Sequence, residues 1–413
     1  MNNKNLSNIA LATIIAASIL VVVAVAENDI PTPPGQPHSS IIPIGHNLCD
    51  MIADPARPYL YVSDSTDNAV LVVNTETDMI EKSIWVGSKP TDMSINSDNS
   101  TLYVVLSGAP GSIAVVDLEN QTKADTIIHT SYEPRSIEAM KPGRLHLLRQ
   151  YNNYVSWRKL LIVNMENDTE LDTDITAFDI EITRDGNTLY LCDSESSTAA
   201  GIKKYNITTD TPALVKEVSS GTSSGEKIKL SPDESRIYVQ SRGEVPIFST
   251  SSLDQVGTLD PESQGVVDVT LCPGGKVAYV ATSYEEQYEY ANRESNIYVF
   301  NTSTFTRERL WSASGHIKYD EYGWSKGSIL ETSSDGDKLY VFVGSGYDYD
   351  IEVFGASTKG DLNFDGVLTP ADAAIALELA ARGDWDPAAD VDCDWRVTSV
   401  DALIILQAAA GAP

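Results

Sequence analysis

Cysteine, phenylalanine, histidine and positive charge are all scarce in this chain of 413 residues, and each shortage closes off a class of function. The four cysteines, Cys49, Cys192, Cys272 and Cys393, stand far apart without a CxxC pair, which argues against a thiolate metal cluster and a legible disulfide framework. The five histidines, at 38, 46, 129, 146 and 316, include no pair at ligand spacing, and no GxSxG, HExxH or phosphate-binding glycine loop occurs. No catalytic residue and no organic cofactor is assigned on these grounds. Carboxylate pairs such as Glu285-Glu286 are too common in so acidic a chain to single out a site. With 29 Lys and Arg against 59 Asp and Glu, the net charge of −30 disfavours nucleic acid and anionic membrane as partners. With 42% hydrophobic residues but only 7 Phe, the chain can bury a core, though not one packed with helices.

Hydrophobic residues do form one long run. Lys4 precedes IALATIIAASILVVVAVA, the chain then turns polar at ENDIPTPPGQP, and Ala24-Val25-Ala26 offers the small-x-small pattern of a signal-peptidase site. The run exceeds a usual signal core and approaches the length that spans a bilayer, so residues 1–26 are read as a signal peptide or N-terminal anchor. Residues 27–38 read as a proline-rich linker. Everything after Ala26 is expected outside the cell, secreted or on its surface, with membrane contact only if the segment stays uncleaved.

From Ser39 onward one pattern recurs: a short apolar strand, a Pro/Asp/Gly turn, a strand like LYV, a variable loop, a strand like VLVVNTETD, a second turn and a fourth strand. Its central residues are Tyr61, Tyr103, His146, Tyr190, Tyr238, Tyr279 and Tyr340, spaced by 41 to 48 residues with a final gap of 61. A period of this length, built from four short strands, is that of a β-propeller blade, and seven positions predict seven blades over residues 39–356. The last repeat supplies three strands, ending at IEVFG. The segment SSIIPIG at 39–45 is expected to supply the fourth and latch the ring. The YVS, YVV and YVA strands and the blade end IWVGSKP resemble the YVTN family of β-propellers, found in secreted and surface-layer proteins. That resemblance implies the fold and setting and is nearly silent on chemistry.

Blade geometry sorts the remaining features by face. The sequons at Asn99, Asn120, Asn167, Asn206 and Asn301 fall in a–b or c–d turns, which share one face, and are candidate glycosylation sites. The opposite face collects long loops with Tyr151, Tyr154, Trp157, Tyr284, Tyr288, Tyr290, Tyr319, Tyr322, Trp324, Tyr347 and Tyr349. Aromatic rings among polar groups suit sugar rings or another protein, so these residues are the candidate ligand face. At the start of the innermost strands stand Asp50, Asp92, Asp179 and Asp268, with Arg135 and Lys227 aligned to them. The expected arrangement is a solvated channel in which Asp pairs with Arg and Lys; a cation or water held at the mouth is the alternative.

The C-terminal stretch holds two acidic loops 29 residues apart. In the first, Asp361, Asn363 and Asp365 take positions 1, 3 and 5, Gly366 position 6, the Val367 carbonyl position 7 and Asp372 position 12, which is what a 12-residue calcium loop requires. The second repeats this with Asp390, Asp392, Asp394, the Arg396 carbonyl and Asp401, except that Trp395 stands where the first has Gly366. A bulky residue is costly at positive φ, so the second site is expected to be weaker or reshaped. Each loop runs into one helix, the first from about Pro370 to Arg382. Two such loops with Asp at position 12 and a single helix each resemble a type I dockerin, over residues 357–413. The resemblance implies two Ca²⁺ ions and a cohesin-type partner contacted through Pro370, Ala371, Ser399 and Val400, two pairs that differ from each other.

The predicted architecture is an all-β seven-bladed propeller followed by a small α-helical calcium-loop domain. The expected role is binding: the propeller recognises a glycan or protein, and the dockerin docks on a cohesin-type scaffold. A polysaccharide-active lyase or hydrolase recruited by its dockerin, or a surface-layer building block, are the alternatives.

Overall fold

The computed structural model describes residues 39–109, 111–150, 158–196, 199–219, 227–241, 243–262, 265–283, 295–318, 327–355, 360–363, 368–386, 388–392 and 396–410, with the backbone alone at 194–196 and 199–200. The chain falls into two compact units, Ser40–Val353 and one that holds Phe354–Pro413. Residues 1–26 and 27–38, read from sequence as signal segment and linker, lie outside the described residues, among which no helix is long and apolar enough to cross a membrane.

The first unit is a ring of seven four-stranded antiparallel sheets. Blade one holds β2 (Leu48–Ala53), β3 (Tyr59–Asp64), β4 (Ala69–Asn74) and β5 (Met79–Trp85). The strand before it, β1 (Ser39–His46), lies outermost in blade seven against Asp348–Phe354, so the two ends of the ring are joined as the strand count predicted. The innermost strands contact one another in cyclic order, and the seventh, Leu330–Thr332, returns to β2.

Burial explains the sequence of each blade. A blade is covered by neighbours on both faces, so its inner strands read as continuous apolar runs: β4 (AVLVVN) is buried at five positions, whereas β5, at the rim, is exposed at all but one. Tyr61, Val70, Val72 and Ile84 of blade one pack with Met93, Leu102, Val104 and Val116 of blade two in one apolar cluster. Each fully buried Leu, Val or Ile in such a cluster stabilises the ring by about 1.5–3 kcal/mol.

The turns are shaped by side chains that accept their own backbone N–H groups. Asn74 Oδ1 accepts from Glu76 and Thr77, Asp117 Oδ1 from Glu119 and Asn120, and Asn301 Oδ1 from Ser303 and Thr304. The repeat tyrosines point into the layer between blades, where Tyr61 Oη donates to Asp54 Oδ2 at 2.9 Å and Tyr190 Oη to the Thr250 carbonyl at 3.2 Å. His146 takes this position in blade three and is fully buried.

The second unit contains α1 (Pro370–Arg382) and α2 (Ser399–Ala409). Leu362, Ala376, Leu379, Ala389, Val397 and Ile405 bury its small core. Pro370 sits in the first turn of α1, where its missing N–H costs nothing, and Gly383 closes the helix at φ 72°.

Candidate functional site

The two acidic loops build the same cap twice. Thr369 and Thr398 are the N-caps of α1 and α2, each with an Asp three residues on. Asp372 Oδ2 accepts from Thr369 N and Oγ1 at 2.8 and 2.9 Å, and its Oδ1 from Leu362 N and Asn363 N at 2.8 and 3.1 Å. Asp401 repeats all four bonds, from Thr398 N and Oγ1 at 2.7 and 3.0 Å and from Val391 N and Asp392 N at 2.9 and 3.3 Å. Both carboxylates are fully buried, so these charge-assisted bonds fold each loop back onto its helix.

Around that cap the predicted ligands gather. Carboxylate oxygens of Asp390, Asp392 and Asp401 lie within 4.8 Å of one another, a spacing compatible with one shared hard cation. Asp390 is buried and accepts from Trp385 Nε1 at 2.8 Å, and Asp361 is buried at the matching place in the first loop. Asn363 and Arg396 are also placed, whereas Asp365, Gly366, Val367, Asp394 and Trp395 lie outside the described residues. An all-oxygen donor set with two or more carboxylates fits Ca²⁺, which would add its own charge to a cluster otherwise rich in negative groups. Pro370, Ala371, Ser399 and Val400 are all exposed, and Val400 is joined on the surface by Leu403, Ile404, Leu406 and Leu377.

The propeller axis carries a second constellation. Asp50 Oδ2 accepts the Met93 N–H at 2.8 Å, Asp92 that of Ile137 at 2.8 Å, Asp179 that of Ile228 at 3.0 Å and Asp268 that of Ile329 at 2.8 Å. Each inner-ring Asp therefore clasps the next blade's backbone. Lys227 pairs with Asp268 at 3.2 Å, as expected for a charged channel. Arg135 does not belong to the ring. The hairpin of blade three is one residue shorter, with Glu138 opposite His146 where blade one has Ile52 opposite Tyr61, so Ser136 takes the Asp position, opposite Leu148, and Arg135 bonds Gln150 and Glu133 instead.

Two residues further along the same strand face lies a row that sequence reading missed: Ser94, Glu138, Glu181, Lys229 and Glu331. The signal was present, since residues two apart on a strand share a face. With the first row they line an axial cavity of about 180 Å³, room for about six waters. Burial, reinforced by Glu181, Asp92 and Asp179, pushes the Glu138 carboxyl well above its usual range. Burial raises Glu181 to about 8 against the pull of Lys229, and raises Asp92 to about 7. Lys229 holds its proton more tightly than usual although burial opposes it, because Glu331, Glu181, Asp268 and Asp50 surround it.

The other sequence-selected residues are dispersed. Asn120 and Asn167 are exposed on turns, Asn206 is exposed at the end of a strand, and Asn99 and Asn301 are half-buried. Of the aromatic face, Tyr347 is 77% exposed, but Tyr349 is only 7% exposed, because strand Asp348–Phe354 starts earlier than the loop reading assumed and turns that ring inward beside Lys318 Nζ at 5.5 Å. Tyr151, Tyr154, Trp157, Tyr284, Tyr288, Tyr290, Tyr319, Tyr322 and Trp324 lie outside the described residues.

Comparison with solved structures supports the ring. The β-propeller domain of Cps50 (Swd1) from Myceliophteria thermophila is similar with a TM-score of 0.58 over 77% of this chain and 100% of that domain, at 12% identity. Identity that low carries the fold alone. No family model matches the chain, and no curated protein matches it.

Proposed function

We propose that this is an exported binding protein whose propeller recognises a glycan or a protein, and whose C-terminal unit is a calcium-binding, dockerin-like module that docks on a cohesin-type partner. One observation carries the reading: four hydrogen bonds to Asp372 recur, donor for donor, at Asp401, each beside a buried Asp at loop position 1. Duplication of a whole cap, not just of an acidic composition, points to two related cation loops. The apolar residues Val400, Leu403 and Leu377, exposed on the two helices, supply the surface a partner would cover.

Calorimetric calcium titration of the intact chain, followed by far-UV circular dichroism, tests the module. Two ions bound with a gain in helix, reduced to one by Asp390→Asn or Asp361→Asn, is the expected result. A chain that binds no calcium, or whose helix is complete in chelator, would refute the calcium loops.

The enzyme reading has one observation in its favour: Glu138 and Glu181 hold their protons beside a cavity, as general acids do. Against it stands size, since 180 Å³ is below the roughly 300–1,000 Å³ of typical ligand sites. Turnover of a polysaccharide by the purified chain, abolished by Glu181→Gln, would establish that reading instead.

A further inference from the structure

A third cluster lies in the propeller, where the chain passes from the outer strand of blade seven to the inner strand of blade one. His46 ends β1, Asp64 ends β3, and Asp67 sits in the turn that follows. His46 Nδ1 is 2.6 Å from Asp64 Oδ2 and 3.8 Å from Asp67 Oδ2, and the three ligand atoms lie within 4.8 Å of one another. Thr66 N and Asp67 N donate to Asp64 Oδ1 at 2.9 and 3.1 Å, which fixes that carboxylate and turns Oδ2 toward the imidazole. The side chain of Asp64 is completely buried, while those of His46 and Asp67 are 29% and 60% exposed, so the cluster has a rigid floor and a side open to solvent.

We propose that His46, Asp64 and Asp67 form a site for a borderline transition-metal ion, Zn²⁺ or Co²⁺ in class, that pins the seam of the propeller. One imidazole nitrogen with two carboxylate oxygens is a donor set for such ions and not for Ca²⁺, which takes oxygen alone. Three protein ligands with an exposed side leave a fourth position for water. Ligand atoms of a tetrahedral zinc lie about 3.4 Å apart for bonds of about 2.1 Å. The shorter contact must therefore open, and the longer one close, by less than about 1 Å, which rotation of the exposed Asp67 and half-exposed His46 supplies. Charge points the same way. The imidazole lies against Asp64 and Asp67, negative charge that a divalent ion would offset.

The test is a Co²⁺ titration of the intact chain kept in excess Ca²⁺, which occupies any oxygen-only loop, read by visible absorption. One equivalent of Co²⁺ with a ligand-field band that Zn²⁺ bleaches is expected. His46→Gln and Asp67→Asn should each weaken it about tenfold or more, and Asp390→Asn should leave it unchanged. Zn²⁺ should also raise the melting temperature of the parent chain and not of His46→Gln. Asp67→Asn changes an exposed turn and leaves the His46–Asp64 bond in place, so it separates loss of metal from loss of fold. Absence of Co²⁺ binding, or equal binding by the parent and both variants, would overturn the site and leave a proton-bridged ion pair.

Discussion

Lys338 of blade seven donates from Nζ to Asp78 Oδ2 of blade one at 2.8 Å, while Tyr340 donates from Oη to the other oxygen of the same carboxylate at 3.0 Å. Lys338 is 5% exposed, and its second donation, to the Thr75 carbonyl at 2.7 Å, ends on the same turn. This clasp crosses the seam where the ring closes.

Its two members should not be equally replaceable. Asp78→Asn preserves the left-handed backbone at φ 54°, which Asn tolerates, but strands a buried ammonium, at an expected cost of about 3 kcal/mol or more. Lys338→Met removes the buried charge and leaves Asp78, with part of its side chain in solvent, bonded to Tyr340; about 1–2 kcal/mol is expected. Urea unfolding of the two variants measures the order, and a larger loss for Lys338→Met would contradict the account.

Asp401 and Asp392 separate folding from ion binding. Asp401 receives four hydrogen bonds, so Asp401→Ala should lower helix content in chelator as well as in calcium. Asp392→Asn alters an exposed side chain and should leave the chelated spectrum unchanged while weakening calcium about tenfold or more. Circular dichroism with and without chelator distinguishes them.

The axial carboxylates make the ring sensitive to alkali. Burial raises Glu181 to about 8, so the folded state holds a proton there that the unfolded chain releases near its ordinary value of 4.5. Stability is therefore fully present below about pH 4.5 and is lost as pH rises through about 8. Glu181→Gln should raise the melting temperature at pH 9 by about 2 °C or more and change it little at pH 5. A variant that melts with the parent at both values would show that Glu181 ionises freely.

His146 supplies the opposite limb. Burial holds its imidazole down to about 3, while the unfolded chain titrates near 6.5, so stability is lost as pH falls from 6.5 toward 3. Its Nδ1 finds no hydrogen-bond partner in the described structure. His146→Leu should flatten the acid side of a melting profile taken between pH 4 and 7, and an unchanged slope there would count against a neutral His146.

The ring was legible because its signals are local and repeated. Tyr61 and its counterparts recur at blade spacing, and the orphan strand at 39–45 had only one sheet left to complete. Arg135 was misaligned because counting a fixed number of residues assumes hairpins of equal length, and the one from Glu138 to His146 in blade three is one residue shorter than that from Ile52 to Tyr61 in blade one. The inner-ring Asp residues were seen, but their backbone partners were not. Asp50 meets Met93 N and Asp268 meets Ile329 N, contacts between blades that no short window contains. Tyr349 was placed with Tyr347 on a loop, whereas Tyr347 stands in the turn and Tyr349 belongs to the strand Asp348–Phe354, which buries its ring. In the C-terminal unit each loop and the start of its helix fall within a short window, so the two helices were read directly, whereas the caps that Thr369 and Thr398 build with Asp372 and Asp401 were not.

Blade seven is assembled from residues 39–46 and 330–354, which gives the order of synthesis a physical role. An emerging chain makes β1 first and must carry its unpaired edge until Asp348–Phe354 arrives to cover it, with nearly the whole ring made in between. The helices follow that closing strand. A chain interrupted anywhere inside the ring therefore carries neither a sealed propeller nor its terminal helices. Only molecules whose ring has every strand needed for closure carry the helices.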